Sequence, residues 1–175
     1  MKLTFIINTN EETTIDRCVN FIRASYNESN IITIPDTDNL KNIINGGAWT
    51  LRYINTFMAT DGDILIRMDP DSLMLRAFSY IPDVEYFGMM FNNQYIHGGC
   101  KGYSRGFVQR ILDSGLLLSE EYKNSIYKCG NTNLASCDLI SMDVAIKLNA
   151  TITHWTEVSS MPYLEHFAVT HGHKT

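Results

Sequence analysis

The sequence predicts an α/β fold in which a mainly parallel sheet is flanked by helices. Three observations predict it. The length, 175 residues, suits one domain and lets the chain bury roughly two thirds of the surface it would expose unfolded. The chain opens strand–helix–strand, an order that favours parallel pairing through a right-handed crossover. A strand-sized apolar run, Ile64-Leu65-Ile66-Arg67-Met68, then stops at Asp69-Pro70-Asp71.

Taken in order, Leu3 to Asn8 is rich in strand formers and ends in the polar cluster Asn8-Thr9-Asn10-Glu11-Glu12. Ile15, Cys18, Val19 and Ile22 recur at helical spacing, with Thr13 or Thr14 able to cap the helix. Asn30 to Ile34 is a second strand, closed by Pro35-Asp36-Thr37-Asp38. Past a Gly46-Gly47 break, Ala48 to Thr60 has a helical pattern, with Leu51, Ile54 and Met58 on one face. After the third strand, Ser72 to Phe78 reads as a short helix. Tyr86 to Phe91 and Tyr95-Ile96 read as strands around an Asn92-Asn93 turn. Gly98-Gly99 is expected to break the chain again. Ser104 to Leu112 and Asp138 to Lys147 are expected as helices, Thr151 to Trp155 as a last strand, and the histidine-rich tail as polar chain. Ser119 to Lys128 fits either structure. No repeat, low-complexity segment or linker divides the chain.

Composition narrows the function. Fourteen Lys and Arg against 19 Asp and Glu leave a net charge of −5. That balance argues against a nucleic-acid binder, which needs a basic footprint to release counterions. Apolar residues make up 45% and charged residues 19%, as in ordinary globular proteins. No apolar run approaches the ~20 residues of a transmembrane helix, and the N-terminus reads as a first strand and not as a signal peptide. The four cysteines, Cys18, Cys100, Cys129 and Cys137, show no C-x-x-C spacing, so they are read as reduced thiols of a cytoplasmic protein. Motifs for P-loop, dinucleotide-fold, serine-elbow and zincin chemistry are all missing from the sequence.

The sharpest feature is Asp69-Pro70-Asp71. It is ordinary turn chemistry. It also puts two carboxylates where a strand leaves a sheet, positioned to share one hard divalent cation, Mg²⁺ or Mn²⁺. Such an ion neutralises a diphosphate leaving group, and ligands of open α/β sheets bind outside the carboxyl ends of the strands.

The order of elements, together with Gly62-Asp63-Ile64-Leu65-Ile66-Arg67-Met68-Asp69-Pro70-Asp71, His97-Gly98-Gly99-Cys100-Lys101-Gly102-Tyr103-Ser104-Arg105, Ser141-Met142-Asp143-Val144 and the terminal His171-Gly172-His173-Lys174, resembles the nucleotide-sugar glycosyltransferases of the GT-A fold. The likeness covers most of the chain, though few positions in it are specific. It implies a mixed, mainly parallel sheet, with residues 1–71 as a nucleotide-binding half and 72–175 as an acceptor-side half. It also implies a divalent-metal-dependent transferase acting on a nucleotide sugar, UDP-linked above others, and on a glycan or other hydroxyl acceptor.

By that resemblance, Asp69 meets donor ribose and metal, Asp71 ligates the metal directly, and a tail histidine completes the shell, His171 ahead of His173. Ile7, Asn8 and Thr9 line the base, Asp36 meets uracil, Arg52 supplies a basic group, and Gly98 and Gly99 face sugar and acceptor. Asp143 is the carboxylate that takes the acceptor proton, with Asp138 the other candidate. Spaced five apart, these two do not share a helix face well. Met142 stands where many members carry an acidic residue, so inverting and retaining chemistry both stay open. Two alternatives remain: a nucleotidyltransferase acting on sugar phosphates, and a non-catalytic nucleotide-sugar-binding domain.

Overall fold

The structure is a computed structural model and describes residues 1–9, 14–35, 46–123, 128–129, 132–133, 137–159 and 166–172. Strand β1 (Leu3–Thr9) leads through helix α1 (Thr14–Ser25) to β2 (Asn30–Pro35), and helix α2 (Gly46–Met58) leads to β3 (Ile64–Met68). After β4 (Leu73–Met74) come β5 (Tyr86–Phe91), β6 (Tyr95–Ser104), α3 (Arg105–Ser114) and α4 (Glu120–Lys123). The chain continues with β7 (Lys128–Cys129), β8 (Thr132–Asn133), α5 (Cys137–Lys147), β9 (Ile152–His154) and β10 (Val169–Thr170).

Six strands form the main sheet in the order β2-β1-β3-β6-β5-β9. β1 pairs in parallel with β2 and β3, and β5 with β9, while β6 runs antiparallel to both neighbours. The expected mixed, mainly parallel sheet flanked by helices is the one observed. Both faces of the central strands are covered, so β1, β3 and β6 are buried along most of their length and mostly apolar, with Arg67 and Lys101 as buried exceptions. On one face Ile6, Leu65, Tyr86 and Tyr103 pack against Tyr53, Ile54 and Phe57 of α2, Phe107 and Val108 of α3, and Ile140 and Val144 of α5. On the other, Phe5, Ile7, Ile66, Met68 and Phe87 pack against Cys18 and Ile22 of α1 and against Met74, Trp155 and Val169. Each such side chain contributes about 1.5–3 kcal/mol by leaving water.

Local chemistry sets several boundaries. The Ser104 hydroxyl caps α3 by accepting from Phe107 N at 3.2 Å. Gly115, at φ 65°, ends that helix in the left-handed conformation. Asn92 and Asn93, at φ 49° and 56°, turn β5 into β6 as the sequence suggests.

Three expectations need correction. Thr151 to Trp155 is not the last strand and the tail is not merely polar chain, because buried Val169 and Thr170 form β10. Ser72 to Phe78 is not a helix, because Leu73 and Met74 pair antiparallel with Thr170 and Val169 from the far end of the chain. Gly98-Gly99 does not break the chain either; it lies inside β6. Between the pairs Gly88↔Lys101 and Met90↔Ile96, Met89 alone on β5 stands opposite His97 to Cys100 on β6. This excess is a bulge, a device that re-aims residues on a strand. Among the described residues, no helix is long and apolar enough to cross a membrane.

Candidate functional site

The site gathers at the carboxyl end of β3. A turn closes Asp69-Pro70-Asp71-Ser72, with Ser72 N donating to Asp69 O at 3.0 Å. It is fastened to the bulge: Asp69 N donates to Gly99 O at 3.1 Å and the Ser72 hydroxyl to the same carbonyl at 2.6 Å. The β4–β10 pairing then delivers the tail. His171 Nε2 lies 3.0 Å from Asp71 Oδ1 and 3.4 Å from Asp69 Oδ2. One ligand atom from each of Asp69, Asp71 and His171 falls within 4.8 Å of the others, a spacing that suits a single metal ion.

Gly99 makes room for this group. A Cβ there would stand 2.7 Å from the His171 ring. His97 flanks it, with its ring centroid 4.9 Å from that of His171 and its Nδ1 accepting from Gly99 N at 3.0 Å. Burial works against a charged His171, but hydrogen bonds to Asp69 and Asp71 outweigh it and raise its pKa to about 9. Burial holds His97 below its ordinary value. The Cys18 thiol is pushed up to about 12 by burial and then by Asp69 and Asp71, so it stays protonated beside them.

Behind the acidic turn lies a floor of buried charge. Arg67 of β3 is only 4% exposed. Its Nη2 lies 2.5 Å from Asp69 Oδ1, and Nη1 donates to Gly98 O. With the Asn8 carbonyl turned toward them, Asn8 Oδ1 accepts from Arg67 Nη2 at 2.5 Å and from Trp49 Nε1 at 3.1 Å. The Arg52 guanidinium lies over Trp49, 5.9 Å from the ring centroid. Burial opposes the Asp69 charge, and Arg67 with His171 overcomes it, holding that carboxyl below the usual range.

Lys101, the register partner of Arg67 on β6, is fully buried and places Nζ 2.7 Å from Asp138 Oδ1. Asp138 opens α5 and rests on Gly98, where a Cβ would meet both carboxylate oxygens at 2.8 Å and Arg67 Nη1 at 2.9 Å. Burial opposes its charge, but Lys101 and Arg67 hold the Asp138 carboxyl below the usual range.

Asn8, Asp69, Asp71, Gly98, Gly99, Asp138 and His171 thus gather around the carboxyl end of β3, and Arg52 is linked to them only through Trp49. Asp143 does not join them. Five residues on from Asp138, it is turned about 140° around α5. There it accepts from the Tyr122 hydroxyl and pairs with Lys147 at 3.2 Å. Ile7 also points elsewhere, fully buried in the opposite core. Thr9 is described by its backbone alone, opposite Pro35. Asp36 and His173 lie outside the described residues. Arg67 and Lys101 were not among the expected site residues. The signal for Arg67 was a lone cation in an otherwise apolar strand, since a buried charge demands a partner.

This arrangement sits on the fold of the GT-A glycosyltransferases. No protein-family model and no curated protein matches the chain, so the likeness lies in the backbone. A Drosophila β1,4-galactosyltransferase 7 variant, solved with manganese, UDP-Gal and xylobiose, superposes with TM-score 0.58 at 12% identity over 98% of this chain and 71% of that one. A glycosyltransferase involved in glycosylation of the major capsid of PBCV-1 gives 0.61 at 13% identity over 100% and 94%. A CMP:2-keto-3-deoxy-manno-octonic acid synthetase complexed with CTP gives 0.53 at 8% identity over 89% of each chain.

Proposed function

We propose that this chain is a metal-dependent glycosyltransferase that moves a sugar from a nucleotide donor, UDP-linked above others, to a hydroxyl acceptor. The observation that carries the reading is the Asp69–Asp71–His171 group at the carboxyl end of β3. Its donor set, two carboxylates and one imidazole, fits a divalent ion, and the nitrogen favours Mn²⁺ over Mg²⁺, which prefers oxygen alone. When bound there, the ion would neutralise the diphosphate of the donor and help it leave.

The chain's own groups supply the rest. Asp69 and Asp71 hold the ion from one turn, and His171 closes the set from the tail. In this reading residues 1–71 take the nucleotide, with Asn8, Trp49 and Arg52 on its path and the Thr9 backbone nearby, while 72–175 carry the acceptor side; Asp36 keeps its role toward uracil only by the resemblance. Gly98 and Gly99 keep the sugar's floor low. Asp138 accepts the proton of the acceptor hydroxyl. The acceptor oxygen forms its bond to the anomeric carbon as the bond to the diphosphate oxygen breaks, and UDP departs with the electron pair. Asp138 stands for this role ahead of Asp143 because it adjoins Gly98 and Arg67, and a base must reach the attacking hydroxyl directly or through one water. The described cysteines, Cys18, Cys100 and Cys137, are free thiols, which supports a reducing compartment such as the cytoplasm.

The test is UDP binding by calorimetry with and without Mn²⁺, alongside a thermal-shift panel of nucleotide sugars. Asp71→Ala should abolish the metal-dependent part of UDP binding; unchanged binding in that variant with Mn²⁺ present counts against the assignment. A donor at 100 times its dissociation constant should add about 2.7 kcal/mol of stability. The likeness to the CTP-bound synthetase favours a second reading, nucleotidyl transfer to a sugar acid or sugar phosphate. Pyrophosphate release from a nucleoside triphosphate, without UDP release from UDP-sugars, would select it. UDP binding with no UDP release over hours would select a non-catalytic binding domain.

A further inference from the structure

We propose that Lys101 is a positioning residue for transfer, acting through Asp138 by fixing its carboxylate over Gly98. The inference rests on the transferase reading. Lys101 is fully buried in β6, where an ammonium is costly without a partner. Its partner is Asp138, 2.7 Å away. For stability alone the pair is poorly chosen, because apolar residues of similar volume commonly replace a buried ion pair at no loss. The charge therefore calls for another reason, and the geometry around Asp138 supplies it.

The first turn of α5 is held from three sides. The hydroxyls of Tyr53, Tyr103 and Ser141 form a buried triangle, with Tyr53 to Tyr103 at 2.9 Å, Tyr53 to Ser141 at 3.2 Å and Tyr103 to Ser141 at 3.1 Å. Ser141 also donates to Cys137 O at 2.6 Å, tying the triangle to the residue before Asp138. Gly98 lies against the carboxylate from below with no space for a methyl group. Lys101 adds a directional, charge-assisted bond to Oδ1, which also accepts the weaker bond from Cys137 Sγ at 3.5 Å. Sub-ångström placement of a catalytic group is worth large factors in rate, and a rigid surround achieves it. Among the described residues, other titratable or charged groups that act on Asp138 are Arg67 and Asp69 from β3 and its exit, Tyr86 from β5, His97 from β6 and Cys137 from α5. Of these, Arg67 is committed to Asp69 and Gly98, so Lys101 is the counterion that belongs to Asp138.

The experiment follows UDP release from a UDP-sugar in the presence of Mn²⁺, with water as acceptor, across the pH range. Lys101→Met should lower kcat by about tenfold or more and move the acidic limb of kcat/KM up by about one pH unit, because Asp138 loses its counterion. Lys101→Arg should return the limb toward its original position. Asp138→Asn should be slow, and adding Lys101→Met to it should cost little more, since the two act as a unit. UDP–Mn²⁺ affinity should not change in any of them. If Lys101→Met does not fold, the double variant, which removes both charges, decides by comparison with Asp138→Asn alone: an equal rate supports the proposal, and a further loss of about tenfold or more overturns it. Normal release by the parent protein with an unmoved limb, or fully additive losses in the double variant, would overturn the proposal alone. Absence of UDP release from the parent protein would overturn the transferase reading and this proposal with it.

Discussion

The imidazole of His171 lies directly against the backbone of Gly99, with its Cγ 2.7 Å from where a Cβ would stand. Its neighbour Gly98 bears the Asp138 carboxylate in the same way, at 2.8 Å. Two adjacent glycines in one bulge thus seat two polar side chains that arrive from different parts of the chain.

That arrangement makes the two glycines separable. Gly99→Ala must displace His171 near the root of its side chain, so Mn²⁺ affinity should fall by about tenfold or more, and overpacking should cost about 1–3 kcal/mol of stability. Gly98→Ala should displace Asp138 and lower the rate of UDP release while Mn²⁺ still binds. Calorimetric Mn²⁺ titration beside a turnover assay distinguishes the two. Equal effects of both substitutions on both readouts would refute the division.

Metal binding should release a proton. Without metal, His171 stays protonated up to a pKa of about 9, and a metal ligand must be neutral imidazole. Apparent Mn²⁺ affinity should therefore rise about tenfold per pH unit between neutrality and pH 9, then level off. The metal-free protein should behave oppositely. A pKa raised in the fold gives stabilisation that is full below the ordinary histidine value and is lost as pH rises through about 9. Calorimetry in buffers of different ionisation enthalpy counts the proton, and His171→Ala should abolish its release.

The tail is strapped in place at a distance. Arg76 donates to Glu157 Oε2 at 2.7 Å and to His166 O at 3.2 Å, while Ser79 donates to Glu157. Arg76→Ala should loosen β10 and weaken Mn²⁺ binding several-fold although Arg76 touches no ligand. Burial works against the Glu157 charge, but Ser79 and Arg76 hold its carboxyl below the usual range. Its contribution is thus present above the ordinary glutamate value and lost as pH falls through the lowered one. Thermal denaturation across acid pH should show a slope that is reduced in Glu157→Gln.

The hydroxyl triangle beneath α5 should be measurable as stability. Tyr53→Phe removes bonds to Tyr103 and Ser141 without changing the apolar packing. It should cost about 1–2 kcal/mol, roughly 2–8 °C in Tm. A variant as stable as the parent would show that the two bonds of Tyr53 contribute nothing.

Much of the frame was legible in local patterns of residues. Apolar runs placed β1, β2, β3 and β5, helical spacing placed α1, α2, α3 and α5, and the abrupt Asp-Pro-Asp stop marked the sheet edge where carboxylates collect. These features are local, set by side-chain periodicity and by residues that end strands. Tertiary structure alone decided the rest. It drew Leu73 and Met74 into a pairing with Val169 and Thr170, made Gly98-Gly99 a bulge, and turned Ile7 into the core. It also oriented α5 so that Asp138, and not Asp143, faces Lys101. The spacing of five fixed the angle between those carboxylates, but which of them meets the sheet depends on how Ile140, Val144 and Ala145 pack against residues from distant segments. Lys101 and Asp138 are 37 residues apart and leave no periodic trace in the chain, and that is why this counterion emerged only in three dimensions.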